Sequence, residues 1–246
     1  MAEIINGILI PFLGTALGAM CVFFLKGTLK ENLKKAFNGF AAGVMVAASF
    51  FSLLLPSVEQ SEDLGIFSFF PAVFGLCLGF GFLLLLDIVI PRITEGCKAD
   101  KRPSMLFLAV TLHNIPEGMA VGVVLAGLSA DSGDITAASA LALSLGIAFQ
   151  NFPEGAIISL PLRAKGEGKM RSFLWGALSG AAEPVAAVCT LLLAGLVVPL
   201  IPYFLSFAAG AMFYVVAEEL LKENSHMGTV FFAVGISLMT IISCTL

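Results

Sequence analysis

Apolar residues run in long, nearly uninterrupted stretches along this chain, without the period-two alternation of half-buried strands. About eight stretches are long enough to cross some 30 Å of hydrocarbon: residues 4–25, 36–57, 67–90, 104–127, 137–162, 170–195, 201–222 and 228–245. Inside a bilayer each backbone polar group must find its partner within its own segment, so these stretches are predicted to be helices. A barrel would show short alternating strands instead. The predicted fold is an all-α polytopic membrane protein, one transmembrane unit over residues 1–246, with short connections and no inserted soluble domain.

Composition agrees with that pattern. The chain is 59% hydrophobic and only 12% charged, with a mean hydropathy of +1.01. Soluble domains are about 45–50% apolar and about 25% charged. The net charge of −4 comes with no basic tract, which argues against a nucleic-acid partner and leaves the lipid bilayer as the surrounding phase. Glu3, with no basic residue before the first apolar stretch, argues against a cleavable signal. Cys21, Cys77, Cys97, Cys189 and Cys244 are scattered without CxxC spacing and are expected to serve as small apolar residues.

Charge adds an orientation. The 13 basic residues fall in four places: Lys26 to Lys35, Arg92 to Arg102, Arg163 to Arg171, and Lys222. With eight spans, all of these lie on one side. The opposite connections carry Glu59, Glu62, Asp63, Asp131 and Asp134 and no Lys or Arg. Positive charge stays cytoplasmic, so both termini are predicted outside, in a multi-pass protein of the cell (plasma or inner) membrane.

The chain also repeats itself. Phe40-Ala41-Ala42-Gly43-Val44-Met45 stands near the start of the second span, and Phe207-Ala208-Ala209-Gly210-Ala211-Met212 near the start of the seventh. Those spans run in opposite directions. So do the fourth and fifth, which carry His113-Asn114-Ile115-Pro116-Glu117-Gly118 and Gln150-Asn151-Phe152-Pro153-Glu154-Gly155. Similar segments in opposed orientation predict inverted repeats, here three helices, a central pair and three helices, with a site near the midplane.

The doubled motif is the candidate chemistry. His113 and Asn114 precede Glu117 by four and three residues, which puts all three on one helical face; Gln150, Asn151 and Glu154 repeat the arrangement. Pro116 has no N–H for the carbonyl of Leu112, nor Pro153 for that of Phe149, so each helix is expected to kink and free an oxygen. Gly118 and Gly155 remove bulk for another backbone. In the sixth span, Glu183 beside Pro184 adds a third acid. A charge at this depth costs about 2.5–3.5 kcal/mol on insertion scales, and no Lys or Arg shares the level. Either the acids are protonated or a cation neutralises them. Imidazole, amide and carboxylate together suit a divalent transition metal such as zinc, iron or manganese. Helical spacing also allows two ions, one on the His113/Gln150 side and one on the Asn114/Asn151 side, bridged by the two motif carboxylates.

These two motifs resemble the signature of the Zrt/Irt-like (ZIP) divalent metal transporters, and the Gln-Asn-Phe-Pro-Glu-Gly form resembles the GufA-like branch. The resemblance implies eight spans with outside termini, a homodimer, and elevator-like movement of zinc and related metals, cadmium among them, toward the cytoplasm. It implies a binuclear site: His113, Glu117, Gln150 and Glu154 at one ion, and Asn114, Glu117, Asn151, Glu154 and Glu183 at the other, with Met45 as a nearby thioether. The metal is then cargo, and no prosthetic group is expected. Two departures stand out. Gln150 and Asn151 occupy positions that are His and Asp in some members, and the segment Pro91 to Ser104 lacks the histidines that many members carry there.

Two other readings compete with transport. A metal-dependent intramembrane hydrolase would activate a bound water, but HExxH is absent and an inverted repeat has no use in an enzyme. A cation channel would share the site and differ in its flux. No Walker motif is present to spend ATP. Asp87 is expected to snorkel to the interface or to relay protons or metal. His226, near Glu218, Glu219 and Glu223, is expected at a solvated helix end or an exit site.

Overall fold

The computed structural model describes residues 2–24, 30–94, 102–131, 135–222 and 225–246. Side chains of Ala2, Glu219 and residues 90–94 and 102–113 are outside that description. The loop segment 95–101, Lys26, Asp134 and Glu223 therefore fall outside the described residues, as does the His113 side chain.

All regular structure among the described residues is helical. The elements are α1 (Ala2–Ala19), α2 (Cys21–Phe24), α3 (Glu31–Ala48), α4 (Leu55–Glu59), α5 (Phe69–Thr94), α6 (Arg102–Ser129), α7 (Ala137–Ala164), α8 (Lys169–Ser179), α9 (Ala182–Leu192), α10 (Ala194–Val197), α11 (Ile201–Val215) and α12 (His226–Thr245). A π-helical turn, Ser49–Leu54, joins α3 to α4, and a second, Val216–Leu220, extends α11. Among the described residues, 7 helical stretches are long and apolar enough to cross a membrane, with Asn114–Ser129 of α6 as a shorter apolar helix. The N-terminal start of α7 is fixed by a capping box, in which Thr136 accepts from Ser139 N and Ser139 Oγ accepts from Thr136 N. Ser225 caps α12 through the N–H of Gly228.

The sixth span is not one helix. It breaks at Gly180-Ala181, between α8 and α9, because Pro184 has no N–H to continue the ladder and the Glu183 N–H bonds back to Gly180 O at 3.2 Å. The helices that carry Pro116 and Pro153 run through those prolines as single 28-residue elements.

The helices pack in four intimate pairs: α1 on α7, α6 on α9, α3 on α12, and α5 on α11. Each pair is closed by glycine against backbone. A Cβ added at Gly14 or Gly155 would lie 2.2 or 2.1 Å from a carbonyl oxygen of the partner helix (Ala148 and Thr15), and one at Gly43 or Gly210 would lie 2.1 Å from Phe232 O or Leu76 O. Small residues thus let these backbones touch, and such close van der Waals packing is one of the forces that hold helices together in lipid. Between the α1–α7 and α3–α12 pairs runs an apolar groove lined by Leu13, Leu17, Phe37, Phe40, Phe149 and Phe231. Elsewhere α7 meets α12 through a side chain: a Cβ at Gly146 would meet the sulfur of Met239.

The two Phe-Ala-Ala-Gly segments occupy matching places. Met45 and Met212 are both buried, and each π-helical turn begins four residues after its methionine. Ser49 Oγ donates to Met212 Sδ at 3.6 Å. Asp87 is exposed on α5 and accepts a 2.9 Å hydrogen bond from Tyr214 Oη on α11. Tyr214→Phe removes the donor and is expected to loosen the α5–α11 pair by about 1.5–3 kcal/mol. Thermal unfolding of the purified protein measures this; an unchanged midpoint rejects a structural role for the bond.

Candidate metal centre

Asn114 and Glu117 sit near the middle of α6, and Gln150, Asn151 and Glu154 near the middle of α7. Glu183 comes from a different setting, the first turn of α9 just past the helix break. A helix N-terminus favours a carboxylate through its aligned peptide dipoles, which explains how the break serves this acid. The break also leaves Ser179 O without the Glu183 N–H that a continuous helix would give it. Asn114 Nδ2 takes that place, donating to Ser179 O at 2.9 Å.

The carboxylates are tied across helices rather than along them. Gln150 Nε2 on α7 donates to Glu117 Oε1 on α6 at 2.6 Å. Asn151 Nδ2 donates to Glu183 Oε2 at 2.7 Å and to Pro11 O on α1 at 3.3 Å. Thr15 Oγ1 donates to Glu183 Oε1 at 3.4 Å. Glu117 and Glu183 each stand within electrostatic reach of Glu154. Asn114, Glu117, Gln150, Asn151 and Glu183 are at most 1% exposed, and Glu154 is half-buried.

What remains unpartnered has one sign. Asn114 Oδ1, Glu117 Oε2, Gln150 Oε1 and Asn151 Oδ1 are buried oxygens with no hydrogen-bond donor. The amide orientations are forced: Ser179 O and Pro11 O can only accept, so Nδ2 of Asn114 and of Asn151 must face them. Each leftover oxygen is a lone-pair donor with nothing to receive it, and such groups cost about 1–3 kcal/mol apiece when buried. A cation placed among them supplies what they lack. Among the described residues no three His, Cys, Asp or Glu side chains form a metal cluster by themselves.

The helix faces bring Asn114, Glu117, Gln150, Asn151, Glu154 and Glu183 together. His113 lies on α6 one residue before Asn114, with its side chain outside the described set. Met45 is fully buried in the main apolar core with Ala42, Val44 and Ala48. Thr15 is the member that sequence reasoning missed; a lone threonine in the first apolar stretch carried no signal of its own. His226 is exposed at the start of α12, and Glu218 is engaged by Lys222 at 3.6 Å, as a solvated helix end.

Comparison with known proteins gives a consistent result. The family model described as ZIP Zinc transporter matches residues 94–243. Zinc transporter ZIP11 of Xenopus tropicalis is 32% identical over 293 residues, covering 87% of this chain and 87% of that protein. Zinc transporter GufA of Myxococcus xanthus is 35% identical over 225 residues, covering 87% of this chain and 85% of that protein. Zinc transporter ZIPB of Bordetella bronchiseptica is 36% identical over 250 residues, covering 96% of this chain and 78% of that protein.

Proposed function

Because the chain belongs to the ZIP family of zinc transporters, we propose that it carries zinc, and with it iron, manganese or cadmium, toward the cytoplasm through the centre built on α6, α7 and α9. The protein is a multi-pass membrane transporter rather than an enzyme. The observation that carries the site assignment is the set of four buried oxygens without donors, all lone-pair groups, beside three carboxylates. Packing alone has no use for such a set. Bound divalent metal satisfies it.

In this reading the whole chain is one transporter unit with eight spans and both termini outside, working as a homodimer. His113, Glu117, Gln150 and Glu154 hold one ion, with Met45 adjacent. Asn114, Glu117, Asn151, Glu154 and Glu183 hold the second. The cross-helix ties from Gln150 to Glu117 and from Asn151 to Glu183 keep the carboxylates apart and aimed until metal replaces the amide protons as their partner. Asn151, an amide in place of a carboxylate, lowers the total negative charge, which suits a cargo that must leave as well as bind.

The movement we propose is elevator-like: the α1–α7 and α6–α9 pairs, tied to each other by the Gln150–Glu117 and Asn151–Glu183 hydrogen bonds, move together against the α3–α12 and α5–α11 pairs. An inverted repeat is supported by the same pairing. Exchanging the first three spans with the last three, and the fourth with the fifth, turns α3–α12 into α11–α5 and α1–α7 into α9–α6.

Zinc uptake into proteoliposomes with competing metals, at two pH values, tests this reading. Saturable uptake that other transition metals compete away is expected; ohmic current instead would make the protein a channel. His113→Ala removes the nitrogen donor and is expected to shift preference from zinc toward harder, oxygen-seeking cations such as manganese, on the order of tenfold. An identical competition profile would remove His113 from the site.

A further inference from the structure

The two motif helices make the same pair of contacts on different partners. Asn114 of α6 donates to Ser179 O, and Gly118 sits against the backbone of Glu183, four residues further on. Asn151 of α7 donates to Pro11 O, and Gly155 sits against the backbone of Thr15, again four residues further on. Added Cβ atoms at the two glycines would lie 2.2 Å from Glu183 O and 2.1 Å from Thr15 O. Thr15 therefore holds on α1 the place that Glu183 holds on α9.

That place faces the same centre. Thr15 is 0% exposed, and its hydroxyl points at Glu183 Oε1 across 3.4 Å, while Asn151 engages Oε2. A Cβ at Gly180 would meet Thr15 Oγ1 at 2.6 Å, so the bare glycine at the break between α8 and α9 is what admits the threonine side chain. Hydroxyl, carboxylate and amide form a chain from α1 through α9 to α7, in which Thr15 is the one donor that comes from outside the motif helices.

We propose that Thr15 is a positioning residue for metal binding: its hydroxyl sets the direction of the Glu183 carboxylate and so the affinity for the ion that Glu183 holds. The inference rests on the reading that Glu183 binds the second ion. When metal takes Oε2 from Asn151, the bond from Thr15 to Oε1 keeps the carboxylate from rotating away. A valine has the shape of threonine without the donor, and a serine keeps the donor without the methyl.

Zinc binding to the purified full chain, with the Thr15→Val and Thr15→Ser variants, decides the matter by calorimetry. Thr15→Val is expected to weaken one ion about tenfold, about 1.4 kcal/mol, and leave the other within about twofold; Thr15→Ser is expected to restore wild-type binding. An unchanged isotherm in Thr15→Val overturns the proposal. So does equal weakening of both ions that serine does not rescue, since that is the mark of lost packing. A second arm uses the metal-free protein: thermal unfolding of Thr15→Val, Glu183→Gln and the double variant. If zinc binding survives Glu183→Gln undiminished, the second-ion assignment fails, and the unfolding cycle alone judges the Thr15–Glu183 link. Coupling there upholds the link, and additive effects reject it.

Discussion

Glu117→Ala and Glu154→Ala are each expected to bring zinc uptake down to background while the protein stays folded in the membrane. The argument is one of opposing magnitudes. A carboxylate at this depth costs about 2.5–3.5 kcal/mol on insertion scales, so removing Glu117 relieves a burden on the metal-free protein. The same change strips Gln150 Nε2 of its 2.6 Å acceptor, an unmet donor worth about 1–3 kcal/mol. The two nearly cancel, and the unfolding temperature of the metal-free variant should move little. Binding does not cancel, because both proposed ions share this carboxylate. Uptake in proteoliposomes, read beside thermal unfolding, separates the outcomes. Wild-type uptake in either variant takes the motif acids out of the transport path; lost uptake with a collapsed fold assigns them to structure instead.

Gly118→Ala carries the next largest effect. Its Cβ would lie 2.2 Å from Glu183 O, a backbone atom that cannot swing aside. The α6 and α9 helices must part to admit it, and Glu183 leaves with α9. Overpacking of this kind costs about 1–3 kcal/mol, and we expect uptake to fall more than about tenfold. Gly81→Ala serves as the comparison, since a Cβ there meets nothing within 4 Å. Equal uptake and stability in the two variants would mean that the α6–α9 contact does not hold the centre in register.

The helices were visible in the sequence because hydrocarbon leaves the backbone no other choice, and the motif acids because charge in oil is conspicuous. The break before Glu183 was not. Hydropathy runs smoothly through Ser179-Gly180-Ala181-Ala182, and only the missing N–H of Pro184 hints that the helix restarts. The π-helical turns gave no sign either: Pro56 follows the first, and no proline follows the second. Periodicity put Asn114 beside Glu117 and Asn151 beside Glu154, on the same helix. It could not foresee that the amides would reach across, Gln150 to Glu117 and Asn151 to Glu183, since that depends on which neighbour the glycines admit.

Gly146 of α7 lies on the Met239 thioether of α12, whereas the glycines that close the four helix pairs lie on backbone. Where glycine lies on a carbonyl, two helices interlock like meshed teeth and resist sliding. Where glycine lies on a thioether, the opposing surface is a limber chain with three rotatable bonds that can reshape as the helix travels past. In the proposed elevator movement Met239 would act as a bearing pad, and a stiff β-branched residue there should drag on every stroke without touching the cargo.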